Sequence, residues 1–248
     1  MLQTDWHGQL VELRLDRPPA NAFDMALVGA LRAAIATLPG AGARALVISG
    51  SPGLFSAGLD VPALLALDRD GIRAFWSAYF GLLRDVAGCA VPVLAALTGH
   101  SPAGGAVLAL HCDYRIGAAG DFRIGFNEVE VGLPIPAAIL GVMRATLGYR
   151  AARLLTVSGE LVDMQRALEL GLLDELVAPP DVVPVALARA AELVARPPRA
   201  MNLTRLELKR PILDLLDAAG DVELATDYWF SEETQLAMRE LARRLTGD

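Results

Sequence analysis

The most constraining feature of this sequence is an unbroken apolar run that leads into a glycine-rich turn. Val91 to Leu97 has the length and composition of a buried strand, and Gly104 to His111 has the composition of a helix after the turn. The first N–H groups of a helix have no acceptor inside it, and the helix dipole favours negative charge there. The sequence therefore predicts that this turn can bind a negatively charged atom.

A second turn of the same kind lies earlier in the chain. A predicted buried strand, Ala43 to Ile48, is followed by the segment Phe55 to Asp60, in which Asp60 would cap the next helix. Its small residues, Ala57 and Gly58, let a ligand approach the backbone. Such a segment is also compatible with an ordinary strand–turn–helix connection. Two turns rich in free N–H groups could instead converge on one oxygen and form an oxyanion hole.

Strands alternate with helices only in the first half of the chain. Beyond Pro136 the apolar spacing is mostly helical, and Arg196-Pro197-Pro198 marks a boundary before the last helices. This order predicts an α/β core over residues 1–197 and a C-terminal helical region over residues 198–248. The predicted helices after Pro136 are Ala137–Leu147, Ala151–Val157, Met164–Gly171, Val182–Ala195, Ala200–Leu216 and Asp221–Leu245, the last with a break near Ser231.

Composition narrows the class of protein. The chain has 248 residues, of which 54% are hydrophobic, so it can bury a large core and a subunit interface. Its net charge of −7 argues against nucleic-acid binding. Charged residues, glycines and prolines interrupt the apolar runs, which predicts no membrane insertion. Two cysteines, Cys89 and Cys112, and an N-terminus without signal-peptide features favour a reduced, cytoplasmic protein.

Four segments carry motifs that are specific when they occur together. Asp16 to Ala22 forms a Pro-containing loop, Phe55 to Asp60 has the form F-x-A-G-x-D, and Pro92 to Arg115 contains P-V-x-A-A-x-x-G, G-G and C-D-x-R-I. The fourth is Phe126-Asn127-Glu128 with Gly132-Leu133-Pro134 after it. Together these segments resemble the crotonase (enoyl-CoA hydratase/isomerase) superfamily, and the match is detailed from about residue 10 to 175.

The resemblance implies a fold, an assembly and a class of ligand. The fold would be α/β, a crotonase-like ββα spiral core with a C-terminal helical trimerisation region, and the assembly a homotrimer or a hexamer. The ligand would be a coenzyme A thioester that serves as substrate, with no bound cofactor. No metal is expected either, since no His/Cys spacing in the chain suggests a zinc site.

The resemblance also assigns roles to individual residues. The N–H groups of Ala57 and Gly104 would form the oxyanion hole and hold the thioester carbonyl oxygen of an acyl-CoA. Removing the proton next to a thioester puts negative charge on that oxygen, and one preorganised donor is worth roughly 2.7–4 kcal/mol. Ala22, Ser56 and Leu59 are the implied backbone contacts of the CoA arm.

The acid–base residues depart from the hydratase pattern. Hydratases of this family use two glutamates. The first position falls at Val107, a pocket residue that cannot exchange a proton, and the second falls at Glu128. The sequence Phe126-Asn127-Glu128 instead resembles the Δ3,Δ2-enoyl-CoA isomerases, which work with a single glutamate. Glu128 is therefore the predicted acid–base residue, with a pKa raised by an apolar pocket. Glu130 is a second candidate and would share a face with Glu128 if this stretch is extended.

Several other functions fit the residues less well. An enoyl-CoA hydratase or related dehydratase, and a non-catalytic protein of the same family that binds acyl-CoA, both remain open. Gly99-His100-Ser101 resembles the nucleophile elbow of an α/β-hydrolase. That interpretation fails because no histidine follows at a useful distance and because Pro102 has no N–H to donate.

Two further groups of residues have open interpretations. Trp76, Tyr79 and Phe80 occur at helical spacing, which indicates pocket wall or core more than a cofactor site. Lys209 is the only lysine of the chain. Lys209 and Arg210 either reach a CoA phosphate, within one subunit or across a subunit interface, or belong to a solvated helix face.

Overall fold

In the computed structural model, which describes residues 1–218 and 221–246, the chain forms ten strands and ten α-helices. The strands are β1 (Leu2–His7), β2 (Leu10–Leu15), β3 (Ala45–Ser49), β4 (Gly53–Leu54), β5 (Val93–Leu97), β6 (Gly99–Pro102), β7 (Tyr114–Ala118), β8 (Arg123–Gly125), β9 (Val162–Asp163) and β10 (Glu175–Val177). The helices are α1 (Met25–Thr37), α2 (Val61–Leu65), α3 (Arg69–Ala87), α4 (Gly104–His111), α5 (Ala137–Val157), α6 (Met164–Glu169), α7 (Val182–Val194), α8 (Pro198–Asp217), α9 (Asp221–Trp229) and α10 (Glu232–Thr246).

The strands form two sheets, and consecutive strands along much of the chain belong alternately to one sheet and the other. The larger sheet has the order β1-β2-β3-β5-β7-β10, with β1 antiparallel and the other neighbours parallel. The smaller sheet has the order β4-β6-β8-β9. The pairs β3/β4, β5/β6 and β7/β8 each place one strand in each sheet before the chain enters a helix or a 3-10 turn. The repeated strand–strand–helix course confirms the predicted α/β fold with a ββα spiral core.

The central strands are apolar because both faces of the larger sheet are covered. Val47, Leu94 and Ile116 lie on one face and pack with α7. Leu46 and Ile48, like the alternate residues of β5, belong to the main core on the other face. A parallel sheet buried on both faces produces such uninterrupted apolar runs. The strand ends that lead to the two glycine-rich turns are therefore held by the core.

The helices beyond Pro136 agree with the prediction in kind and differ in their bounds. The two helices predicted on either side of Gly148 are joined in α5, and Gly148 is a kink with φ 78° and ψ 161°. Helix α6 ends at Glu169, before a glycine with φ +77° at Gly171. Helix α8 begins at Pro198, since proline is accepted in the first turn of a helix. The predicted break near Ser231 separates α9 from α10.

The C-terminal helices pack on the core near the glycine-rich turns. Arg69 and Arg73 of α3 form ion pairs with Asp227 and Glu223 of α9. Trp229 is fully buried in the main core. Helix α10 packs on the 3-10 turn Glu128–Val131. The region after residue 197 thus shares the core and covers one side of the candidate site. Residues 219–220 and 247–248 of the predicted region lie outside the described residues.

Candidate active site

The two glycine-rich turns meet. A methyl group added at Gly58 would lie 3.2 Å from the backbone nitrogen of Gly104 and 3.2 Å from the carbonyl oxygen of Pro102. A methyl group added at Gly104 would lie 3.4 Å from Cα of Gly58. Gly58 also has φ +88°, a conformation that disfavours any side chain. Gly58 therefore needs glycine, and a methyl group at Gly104 would also press on the Tyr79 hydroxyl oxygen 3.0 Å away. The predicted convergence of the turns is observed.

The N–H group of Gly104 points out of its helix. Gly104 is the first residue of α4, so its N–H has no acceptor within the helix. The preceding residue, Ala103, has φ 45° and ψ −119°, and its own N–H donates to the Gly125 carbonyl oxygen at 2.8 Å. The hydroxyl of Tyr79 donates to the Gly104 carbonyl oxygen at 2.7 Å and so ties the start of α4 to α3.

The N–H group of Ala57 is engaged in this structure. It donates to the Ala20 carbonyl oxygen at 3.0 Å, so binding a thioester oxygen would require a shared hydrogen bond or a shift of Ala20. The Ser56 hydroxyl donates to the Asn21 carbonyl oxygen at 2.8 Å and accepts from the Gly58 N–H at 3.1 Å. The role of Ala57 as an oxyanion donor stays a prediction.

An arginine joins the loop before α1 to the turn before α2. Arg17 donates to Asp24 at 3.0 Å and to Asp60 at 2.5 Å. These carboxylates are also the N-caps of their helices, where they accept from the N–H groups of Leu27 and Ala63. The cross-link holds the loop that carries Ala20 against the turn that carries Ala57.

The three residues predicted to contact the CoA arm lie on these loops. The Ala22 carbonyl oxygen accepts a hydrogen bond from Arg17 at 3.2 Å. Ser56 is fully buried, and its hydroxyl organises the turn. Leu59 is partly buried and forms a bridge with Phe23. Their contacts with coenzyme A stay predictions.

Glu128 has the environment of a proton-transfer group. It begins the 3-10 turn Glu128–Val131, and its Oε2 atom is buried with no hydrogen-bond partner among the described residues. Burial raises the pKa of Glu128 to about 7, and a hydrogen bond from its own backbone opposes this shift. Burial and the nearby charge of Glu128 raise the pKa of Tyr79. Tyr79, whose hydroxyl bonds to the Gly104 carbonyl oxygen, therefore lies within reach of the Glu128 charge.

Glu130 lies apart from Glu128. The segment is a 3-10 turn and not an extended strand, so the two side chains do not share a face. Glu130 is exposed, and a methyl group added at Gly159 would lie 2.9 Å from its Cγ atom. Since its side chain lies beside Gly159, the structure gives Glu130 no place beside Tyr79 and Gly104.

Val107 occupies the position of the missing carboxylate. It lies on α4, three residues after Gly104, and is 2% exposed. Its side chain cannot accept a proton or bind water, so Glu128 has no second acid–base group from this position.

Aromatic rings form a wall beside Tyr79. Trp76 packs against Tyr79 with ring centroids 6.4 Å apart and stacks on Phe80 at 5.6 Å. Trp229, from α9, meets the Trp76 ring at 6.3 Å. The sequence identified the three rings of α3 as wall or core. It gave no sign of Trp229, which joins them from more than 140 residues along the chain.

Lys209 does not belong to a solvated helix face, since its side chain is only 12% exposed, whereas Arg210 is exposed and pairs with Glu207. The Nζ atom of Lys209 lies 2.8 Å from an Asp113 carboxylate oxygen and 2.8 Å from the His111 carbonyl oxygen. A contact of either Lys209 or Arg210 with a CoA phosphate stays a prediction.

A nearby cavity of about 690 Å³ is lined by residues of α8 and the end of α4, Lys209 among them. Glu128 and Gly104 do not line that cavity, so it is separate from the candidate site.

With this fold and site, the chain belongs to the enoyl-CoA hydratase/isomerase family, whose model matches residues 6–239. It is 27% identical to human mitochondrial enoyl-CoA delta isomerase 1 over 90% of this chain and 75% of that protein. It is 34% identical to the probable enoyl-CoA hydratase EchA17 of Mycobacterium tuberculosis over 88% of this chain and 82% of that protein. The predicted crotonase superfamily is confirmed.

A solved structure agrees over almost the whole chain. The crystal structure of human mitochondrial delta3-delta2-enoyl-CoA isomerase superimposes with a TM-score of 0.95 at 26% identity, covering 99% of this chain and 98% of that one. Within residues 1–218 and 221–246, no helix is both long enough and apolar enough to span a membrane.

Proposed function

We propose that the protein is a Δ3,Δ2-enoyl-CoA isomerase in which Glu128 is the single acid–base residue. The observation that carries the proposal is the buried, unpartnered Oε2 atom of Glu128, whose charge acts on the Tyr79 ring at the turn of Gly104, with valine at position 107. The similarity to human enoyl-CoA delta isomerase 1 supports it. The similarity to a probable hydratase favours hydration as the second candidate.

One carboxylate suffices for isomerisation. Glu128 removes a proton from C2 of a 3-enoyl-CoA, and the electrons of the C–H bond delocalise into a dienolate. The negative charge on the thioester oxygen is stabilised by the Gly104 N–H and, once it is free, by the Ala57 N–H. Protonated Glu128 then returns the proton to C4, which leaves the double bond between C2 and C3. No co-reactant is consumed.

Hydration requires more than this site supplies. A water molecule must be held and activated while C2 is protonated, and Val107 offers no acceptor for it. We expect wild-type protein to isomerise 3-hexenoyl-CoA and to hydrate crotonyl-CoA much more slowly, measured by mass spectrometry of the products. Fast hydration without isomerisation would overturn the assignment in favour of the hydratase.

A carboxylate at position 107 should increase hydration relative to isomerisation. We expect Val107→Glu to raise the rate of crotonyl-CoA hydration by at least about tenfold, since a second acid–base group typically contributes 10²–10⁴-fold and a buried new carboxylate achieves only part of that. Val107→Gln is the matched control, because glutamine has the same size and transfers no proton. An equal gain in both variants would show that side-chain size, and not proton transfer, limits hydration.

The raised pKa of Glu128 predicts an acidic limb in the pH profile. Only the deprotonated carboxylate can accept the C2 proton, so kcat/KM should rise with pH and level off above about 7. Below that value it should fall about tenfold per pH unit. Initial rates of 3-hexenoyl-CoA isomerisation between pH 5 and 9 measure this. A constant kcat/KM down to pH 5 would contradict a base with this pKa.

Assembly and location complete the proposal. A homotrimer or hexamer is supported by the family resemblance and by exposed apolar side chains on α5 and α8, among them Tyr149, Val157 and Leu208. A cytoplasmic location is supported by the two cysteines, both free. The substrate is a coenzyme A thioester, and the mechanism needs no bound cofactor.

A family member that binds acyl-CoA without turnover remains the third candidate, which detectable isomerisation would exclude.

A further inference from the structure

An indole N–H beside the active site lacks a hydrogen-bond partner. Trp76 is 6% exposed, and its Nε1 atom is buried without an acceptor in the described part of the chain. Indole N–H groups usually find a partner when they are buried. A buried donor without one costs roughly 1–3 kcal/mol. This position therefore suits an acceptor that arrives with a ligand.

Trp76 packs against Tyr79, and Tyr79 contacts the turn of Gly104. Tyr79 follows Trp76 by three residues on α3, so the two side chains share a face of the helix. Their rings meet edge to face at 6.4 Å, and the Tyr79 hydroxyl contacts the Gly104 carbonyl oxygen. Tyr79 also lies close enough to Glu128 for that charge to act on it. An acyl chain that extends from a thioester at Gly104 along the Tyr79 ring would run toward Trp76, and the rings packed on Trp76 would have to open for the chain to contact the indole N–H.

The rings packed against Trp76 offer its N–H no strong acceptor. Phe80 stacks on the Trp76 ring, and Phe75 and Trp229 meet it at steep angles of 63° and 75°. An aromatic face accepts only a weak hydrogen bond from an N–H group. An unsubstituted hydrocarbon chain accepts none, so it would leave the desolvated donor unpaired.

We propose that Trp76 is a specificity-determining residue whose indole N–H donates a hydrogen bond to an oxygen on the acyl chain. The substrates preferred by this site are therefore CoA thioesters that carry a hydroxyl or keto group beyond the reacting carbons. The inference rests on the proposed acyl-CoA function and narrows its substrate class. A neutral oxygen fits better than a carboxylate, since an indole N–H brings no charge to balance a buried anion.

Binding of saturated thioesters tests this without catalysis. Calorimetry would compare hexanoyl-CoA with 5-oxohexanoyl-CoA and 6-hydroxyhexanoyl-CoA. At least one oxygenated thioester should bind wild-type protein about five- to tenfold more tightly than hexanoyl-CoA, as a neutral hydrogen bond provides. In Trp76→Phe the ratio of the two affinities should fall to about one. Trp6→Phe, which removes an indole that is 47% exposed on β1, should leave the ratio unchanged.

A second measurement uses the wild-type protein. Its three indole N–H resonances, from Trp6, Trp76 and Trp229, can be assigned by single Trp→Phe variants in ¹⁵N-labelled protein. The Trp76 signal should shift downfield with the preferred oxygenated thioester and not with hexanoyl-CoA. This measurement does not depend on the folding of Trp76→Phe once the other two signals are assigned.

The outcomes separate this inference from the proposed function. Equal binding of all three thioesters, or an unchanged affinity ratio in a folded Trp76→Phe variant, would overturn the role of Trp76 and leave the isomerase proposal intact. Failure of every thioester to bind would overturn both. Isomerisation of 3-hexenoyl-CoA together with equal binding would overturn only the role of Trp76.

Discussion

Glu128→Gln is expected to lower turnover of 3-hexenoyl-CoA by roughly 10²–10⁴-fold, the usual loss when general acid–base catalysis is removed. Glutamine has nearly the same shape and cannot accept the C2 proton. The affinity for the CoA thioester should change little, since the thioester oxygen and the CoA arm do not depend on this carboxylate. The decrease should therefore appear in kcat more than in KM. Steady-state kinetics with calorimetry of a saturated thioester separates the two.

Glu130→Gln is the matched control. It makes the same chemical change two residues along the 3-10 turn, on an exposed side chain that lies beside Gly159. Its activity should remain close to that of the wild type. If Glu130→Gln were inactive and Glu128→Gln active, the base would be Glu130 and the arrangement of this turn would be wrong.

The stability of Glu128→Gln provides an independent check on burial of the carboxylate. A folded-state pKa of about 7 lies above the unfolded value of 4.5, so the native state favours the protonated form. That contribution to stability is present below pH 4.5 and is lost as pH rises toward 7 and beyond. A glutamine stays neutral and avoids the loss. Above pH 7, Glu128→Gln should therefore melt at the same or a higher temperature than the wild type, which also shows that lost activity is not lost folding.

The meeting of the two glycine-rich turns could be predicted because each turn follows from a local sequence pattern. The strand–turn–helix patterns predicted that the turns at Ala57 and Gly104 are rich in N–H groups, and the core then brings Gly58 to Gly104. Glu128 could be selected because the sequence around it matches a family motif and position 107 holds valine. Asp60 was recognised as a helix cap from residue type alone, and its carboxylate does accept from the N–H of α2.

The remainder depends on contacts between distant segments, which periodicity does not encode. The hydrogen bond from the Ala57 N–H to the Ala20 carbonyl oxygen could not be predicted from either segment. Because of it, the Ala57 N–H has to be shared or released before it can donate to a thioester oxygen. The contact of Tyr79, whose hydroxyl reaches Gly104 from 25 residues away, could not be predicted either. The separation of Glu128 from Glu130 followed from a 3-10 turn, which short apolar patterns do not distinguish from an extended segment.

Gly58→Ala is expected to lower kcat/KM by about 10²–10³-fold, close to the loss of one oxyanion-hole donor. Its methyl group would lie 3.2 Å from the Gly104 nitrogen, a separation close to that of a hydrogen-bond acceptor, and 3.3 Å from Cβ of Ala103. A thioester oxygen and this methyl group cannot both lie against the Gly104 N–H. Because the oxyanion is stabilised in the transition state more than in the bound ester, the loss should fall mainly on kcat.

Backbone strain at Gly58 has to be separated from obstruction of the oxyanion turn, and Gly171→Ala makes that separation. Gly171 has φ +77°, close to the +88° of Gly58, and a methyl group added there meets no atom within 4 Å. Both variants should therefore lose about 1–2 kcal/mol of unfolding free energy from the left-handed conformation. Gly58→Ala should lose more than Gly171→Ala, because its methyl group also crowds Pro102 and Gly104. Only Gly58→Ala should lose turnover of 3-hexenoyl-CoA, because only its methyl group reaches Gly104. Equal activity in the two folded variants would mean that the Gly104 N–H does not hold the thioester oxygen, and the oxyanion would then have to be stabilised elsewhere in the site.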